Sequence, residues 1–238
     1  MSSRENEFGQ SIGLLVPDWS PRERPSRTQM SGRYCRLEPL DVDRHAADLF
    51  AAYMEAPDTR DWTYLAHERP EHPDEFRTYL TAMQKSPDPL HFTIIDTASN
   101  RAVGTAALMR IEPNHGVIEV GCITFSPRLK RTRAATESMY LMMRRSFDEL
   151  GYRRYEWKCD SRNAPSRSAA LRYGFTFEGI FRNAIVYKGR NRDTAWHSIT
   201  LDEWPRIRSA FETWLDPRNF DEHGRQRQSL VEIRNQIH

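Results

Sequence analysis

The sequence has no apolar run approaching the roughly 20 residues that span a bilayer. Its opening residues, MSSRENEFGQSIGLLVPDW, lack the hydrophobic stretch of a signal peptide. Both absences point to the cytoplasm and away from a membrane partner. Cysteine is scarce: Cys35, Cys122 and Cys159 are odd in number and lack metal-like spacing, which argues for a reduced compartment and against a disulfide scaffold or a metal site. Cys122 and Cys159 fall in strand-like runs and read as small buried hydrophobes. Charge of one sign is missing too. The chain carries 35 basic and 33 acidic side chains, a net charge of +2. A protein that binds nucleic acid through its general field has a larger surplus, so nucleic acid is not an expected partner.

What is present is enough apolar material for a sizeable core, 38% of 238 residues. Residues 1–30 read as an N-terminal arm, because Pro17, Pro21 and Pro25 interleaved with Arg22, Arg24 and Arg27 oppose regular structure. Trp19 and Leu14-Leu15 could pin that arm to a surface, and a disordered arm is the alternative. Residues 31–216 form the main domain, and 217–238 read as a polar C-terminal tail. Within the domain, RYCRLEPL reads as a strand and DVDRHAADLFAAYM as a helix capped by Asp41 or Asp43. EHPDEFRTYLTAMQK is a second helix with Pro73 in its first turn. HFTIIDT, AVGTAALMRI and VIEVGCITF follow as three strands joined by short turns.

AATESMYLMMRRSFDEL is helical, with Ala135, Met139, Met142, Met143, Phe147 and Leu150 on one face. Gly151 is its expected stop. RRYEWKCD alternates, with Tyr155, Trp157 and Cys159 on one side and Glu156, Lys158 and Asp160 on the other. NAPSRSAALRYG is a short helix, FTFEGIFRNAIVYKG and RDTAWHSITL a closing hairpin, and DEWPRIRSAFETWL a last helix. The fold class is therefore mixed α+β with a mostly antiparallel sheet. Strand 116–125, helix 134–150 and strand 152–160 make one crossover unit, so these two strands should be parallel.

Between that unit's first strand and its helix lies SPRLKRTRAATES, with Arg128, Lys130, Arg131 and Arg133. A helix start offers free N–H groups and the positive end of the dipole, and guanidinium groups add phosphate-binding capacity. From these residues alone, a phosphate cradle and a solvated turn stand level. Over about 170 residues the chain resembles the GNAT superfamily of N-acetyltransferases, in its ribosomal-protein acetyltransferase-like branch. IEVGCITFSPRLKRTRAATES stands in the place of that family's acetyl-CoA loop. CDSRNAPSRSAALRYGF is similar to its Asn-x-x-Ser helix and Gly-Phe, and FTFEGIFRN to its Glu-Gly strand. The resemblance implies a GNAT fold with splayed parallel strands 116–125 and 152–160, acetyl-CoA as co-substrate, and an amine acceptor. That acceptor is a small molecule or a protein N-terminus, and the protein is a monomer or homodimer.

The resemblance also implies the site. Ile123 and Phe125 would pair with the pantetheine arm, with Asn163 and Ser166 beside it. Lys130, Arg131, Thr132, Arg133, Ala134 and Ala135 would hold the pyrophosphate. Arg131 and Arg133 occupy the family's two glycine places, and the loop is expected to keep a negative-φ path with added side-chain charge. Ser166 is the candidate acid for the leaving thiolate. The family's alternative tyrosine falls on Ala170, and the glutamate that some relatives use as base falls on Ile185. Glu119, opposite in face to Ile118 and Val120, is the substitute base. Asp193, Tyr187 and His197 are weaker candidates, and His91 reads as structural. Trp62, Tyr64, Asp160 and Tyr187 would line the acceptor side, though core packing is an equal reading for Trp62 and Tyr64. A protein that binds acyl-CoA on this fold without turnover is the alternative function.

Overall fold

The computed structural model describes residues 4–237. Strands β1 (Arg4–Glu5) and β2 (Ser11–Ile12) make a small hairpin, and β3 (Met30–Ser31) pairs with β4 (Cys35–Pro39). Helix α1 (Val42–Met54) starts where the sequence places its cap: Asp41 accepts from the N–H groups of Asp43 and Arg44 at 3.0 and 3.2 Å. Helix α2 (Pro73–Lys85) follows, and then the meander β5 (Leu90–Asp96), β6 (Arg101–Glu112) and β7 (Val117–Phe125). Helix α3 (Arg133–Arg144) runs into a π-helical turn over Arg145–Glu149 before β8 (Arg154–Asp160). Helix α4 (Ala164–Tyr173) ends at Gly174, whose φ of 101° suits a residue without a Cβ. Strands β9 (Thr176–Tyr187) and β10 (Arg190–Thr200), helix α5 (Trp204–Leu215) and helix α6 (Leu230–Gln236) complete the chain.

Eight strands form one sheet in the order β3-β4-β5-β6-β7-β8-β10-β9, antiparallel throughout except for the β7–β8 pair. The mixed α+β class and the crossover unit are as the sequence predicts. The sheet buries both faces over its first half. On one side α1 and α2 pack Leu49, Tyr53, Phe76 and Leu80 against β5 and β6. On the other, α3 and α5 pack against Phe92, Ile94, Leu108, Ile118, Val120 and Tyr155. Among the described residues no helix is long and apolar enough to cross a membrane.

Helix α3 is buried on more than its methionine face: Thr136, Glu137 and Ser138 are buried as well. The reason is the β3–β4 turn lying on its back. The Glu137 carboxylate accepts from the backbone N–H groups of Arg33, Tyr34 and Cys35 at 2.8, 2.6 and 2.8 Å. Gly32 allows this approach, since a Cβ there would lie 2.4 Å from the carboxyl carbon of Glu137.

The arm docks over residues 19–27. Trp19 donates to the Asn114 carbonyl at 2.9 Å, Arg22 Nε to Gly151 at 2.9 Å, and Arg24 Nη1 to Ile111 at 3.2 Å. Residues 217–238, read as a polar tail, are folded as far as they are described. Leu230 and Ile233 of α6 are buried in the main core, and a capping box at Ser229 and Glu232 starts that helix. Two apolar residues three apart are too short a pattern to show against a polar background.

Candidate active site

The β7–β8 ladder runs only from Val117–Arg154 to Val120–Trp157. Beyond it the strands diverge, and the cause lies on the other edge of β7. Cys122 and Ile123 together oppose Ala106 of β6, a bulge in which Cys122 takes φ 49°. An extra residue bends the bulged strand and increases its twist. It also reverses the alternation, so Cys122 is exposed rather than buried, while Ile123 and Phe125 turn partly onto the core. Their strand edge faces the opening.

The loop after β7 ends in Thr132, the cap of α3, which accepts from the Ala135 N–H at 3.1 Å. Among the described residues the N–H groups of Arg131, Arg133 and Ala134 have no acceptor. Free N–H groups at a helix start have the geometry to take an anion. The expected negative-φ path is corrected here: Arg131 adopts φ 62°, the left-handed conformation of the glycine it replaces. The cost is roughly 1–2 kcal/mol for a residue with a Cβ, offset by the turn it closes. The four basic side chains also divide. Arg128 pairs with Glu55 and Lys130 with Asp61, so both are tied to the region after α1. Arg133 stacks over Phe220 at 4.4 Å and Tyr34 at 5.1 Å. Arg131 alone is exposed and without a partner among the described residues. Ala134 and Ala135 pack in the core, so they offer backbone rather than space.

Ser166 lies in the first turn of α4. Its hydroxyl accepts from Trp157 Nε1 at 2.9 Å, which leaves its own hydrogen free to donate. Burial pushes the neighbouring Cys159 thiol up in pKa, and the nearby Ser166 hydroxyl opposes that push. Asn163 caps α4 by accepting from the Ser166 N–H at 3.1 Å, so this side chain is already engaged.

On the opposite sheet face Glu119 is 4% exposed. Lys158 Nζ lies 3.1 Å and Arg110 Nε 3.2 Å from its Oε2, in ion-pair range but off the hydrogen-bond direction. Burial raises its pKa, opposed by Lys158 and Arg110. Lys158 also meets Glu156 Oε2 at 2.6 Å and lies 3.8 Å over the Trp196 ring. Sequence reasoning missed Lys158 and Trp157. The one signal was alternation along β8, which sends these consecutive residues to opposite faces.

The side expected to receive the acceptor is closed by the β9–β10 turn. Lys188 donates to the Trp62 carbonyl at 2.8 Å and Arg190 to the Thr63 carbonyl at 2.9 Å. Tyr64 donates to the Arg162 carbonyl at 3.1 Å, and Tyr187 to Asp160 at 2.9 Å. Trp62 is no pocket wall: its ring is buried between Tyr53 and Tyr79. Asp193 is spent on the Asn183 N–H and on Asn191. His197 is buried against Phe177, across from Trp157 and so away from Glu119's face. His91 is buried, and its pKa is pushed down to about 4 by that burial.

A family model described as an acetyltransferase (GNAT) domain matches residues 35–176. A GCN5-related N-acetyltransferase from Brucella melitensis is 49% identical, over 92% of this chain and 100% of that one, with a TM-score of 0.91. A GNAT-family protein from Chromobacterium violaceum is 40% identical, over 82% and 96%, with a TM-score of 0.75. The microcin C7 self-immunity acetyltransferase, solved with acetyl-CoA and AMP, shares the fold at 16% identity, over 71% and 93%, with a TM-score of 0.62. None of the curated proteins matches the chain.

Proposed function

The chain belongs to the GNAT acetyltransferase family, and on that premise we propose that it moves an acetyl group from acetyl-CoA to an amine by direct attack. One observation carries the reading. Where β7 and β8 part, Trp157 holds Ser166 on one face and Lys158 holds Glu119 on the other. On this reading an acid and a base flank the same opening. The pantetheine arm would pair with the freed edge of β7 at Ile123 and Phe125, and the pyrophosphate would sit on the open N–H groups of Arg131, Arg133 and Ala134. The acetyl-CoA bound by the microcin immunity enzyme supports such a site on this fold. The Asn163–Ser166 helix start favours the ribosomal-protein acetyltransferase-like branch as the source of the acid, without fixing the acceptor.

In the reaction the neutral amine attacks the thioester carbonyl, a C–N bond forms and the C–S bond breaks. Glu119 takes the amine's proton, directly or through a water, and Ser166 gives its hydrogen to the leaving thiolate as it regains one from water; Glu119 then releases its proton to solvent. The raised pKa of Glu119 makes it a better proton acceptor than an ordinary carboxylate. The test is a panel of amines with acetyl-CoA, read by free thiol and by product mass. Ser166→Ala should lower turnover on the order of 10²-fold while CoA affinity stays unchanged. CoA binding without turnover on any amine would leave the acyl-CoA-binding reading in its place.

A further inference from the structure

Four arginines on and beside β8, β9 and β10 have no carboxylate partner among the described residues. Arg162 follows β8, Arg182 lies on β9, and Arg190 and Arg192 lie on β10. Arg190 bonds only to the Thr63 carbonyl and lies 5.4 Å over the Tyr187 ring. Arg192 bonds only to Thr194 Oγ1, at 3.1 Å. Lys188, in the same turn as Arg190, pairs instead with Glu68 at 2.9 Å.

Burial raises the Cys159 thiol in pKa, and the positive charge of Arg192 opposes it. Tyr187 is raised by burial and then by Asp160, and Arg190 and Arg192 oppose both. Asp193 is lowered first by the Asn183 N–H, then by Asn191, with Arg162 and Arg182 adding to the effect. The two carboxylates here are already satisfied. Asp160 accepts from Tyr187 and from the Arg162 N–H at 2.9 and 2.8 Å, and Asp193 accepts from Asn183 and Asn191 at 2.7 and 3.0 Å. Those partners are neutral and leave both carboxylates charged, so four guanidinium groups against two carboxylates give this wall a positive surplus.

Guanidinium groups bind carboxylate and phosphate oxygens in pairs and repel ammonium groups. Resting on the acetyl-transfer reading above, we propose that the acceptor carries an anionic group, carboxylate or phosphate, beside its amine, seated on Arg190 and Arg192 with Arg162 and Arg182 at the rim. Polyamine-like acceptors and lysine-rich N-termini are the classes this wall disfavours.

Because the acceptor is unidentified, the probes are CoA conjugates carrying an acetyl linker amide-bonded to four amines. These are β-alanine, phosphoethanolamine, β-alaninamide and diaminoethane, giving carboxylate, phosphate, neutral and cationic ends. Calorimetry should rank one or both anionic conjugates about tenfold or more above the neutral one, a difference that a single charge-assisted contact supplies. The cationic conjugate should be weakest. The anionic advantage should fall to within about threefold of neutral in Arg190→Gln/Arg192→Gln, and shrink with added salt. CoA itself should bind that variant as it binds wild type. A neutral or cationic conjugate that binds wild type as tightly as both anionic ones overturns the inference, as does an anionic advantage that survives the double substitution. Absence of CoA binding by wild type would instead overturn the acetyl-transfer reading, and the inference with it.

Discussion

Burial pushes the Glu119 carboxyl above the ordinary carboxylate range, and the Lys158 ammonium 3.1 Å away opposes that push. The sign of a substitution follows. Lys158→Met removes the opposing charge, so Glu119 holds its proton to higher pH. If Glu119 is the base, the limb on which turnover rises with pH moves to higher pH, and Lys158→Arg restores it in part. The measurement is a pH–rate profile on one strongly basic amine, under conditions where chemistry limits the rate. An unmoved limb in Lys158→Met would separate Glu119 from proton removal. Alternation along β7 made Glu119 legible in the sequence, since Ile118 and Val120 had to face the core. The part played by Lys158 was not legible, because it depends on which residue of β8 stands beside Glu119, and only the strand register decides that.

At the scale of elements, the loop before α3 separates two arginines that look alike in sequence. Arg131 holds the left-handed turn and points no bond elsewhere, so Arg131→Gly keeps the backbone path and deletes the charge. CoA affinity should fall about tenfold, the size of one charge-assisted contact, with little change in stability. Arg133→Ala loses the stack on Phe220 and Tyr34 instead, and should show chiefly as a lower melting temperature. Calorimetry and thermal melting on both variants separate the two roles. The β3–β4 turn gives a second test. Gly32→Ala sets a methyl against the Glu137 carboxyl and should destabilise by about 1–3 kcal/mol in urea, since three N–H groups lose their acceptor geometry. Secondary structure was legible because periodicity is local. The bulge at Cys122 was not: it comes from a mismatch between β6 and β7 that neither strand shows alone.

For the whole molecule, the sequence carried the class and the one parallel pair, and it left undecided how the ends of the chain attach. The N-terminal strap and the C-terminal α6 both depend on contacts over 60 residues or more in sequence, such as Trp19 with Asn114 and Arg234 with Arg172. No window of sequence displays them. The strap grips Pro113, Asn114 and Gly151, beside the first residues of β7 and β8, whereas the opening lies at their last residues. At about 3.3 Å per residue that separation is on the order of 20 Å along β7. Sites so far apart, sharing no side chain, make independent contributions to unfolding. Deleting residues 2–27 and adding CoA should therefore shift unfolding free energy by amounts that sum, in a square of four melts: full-length and shortened chain, each with and without ligand. The ligand's increment should be the same in both chains to within about 0.5 kcal/mol. The molecule then has two separate adjustments, one for how long it lasts and one for what it holds, and a change made at the strap leaves the second where it was.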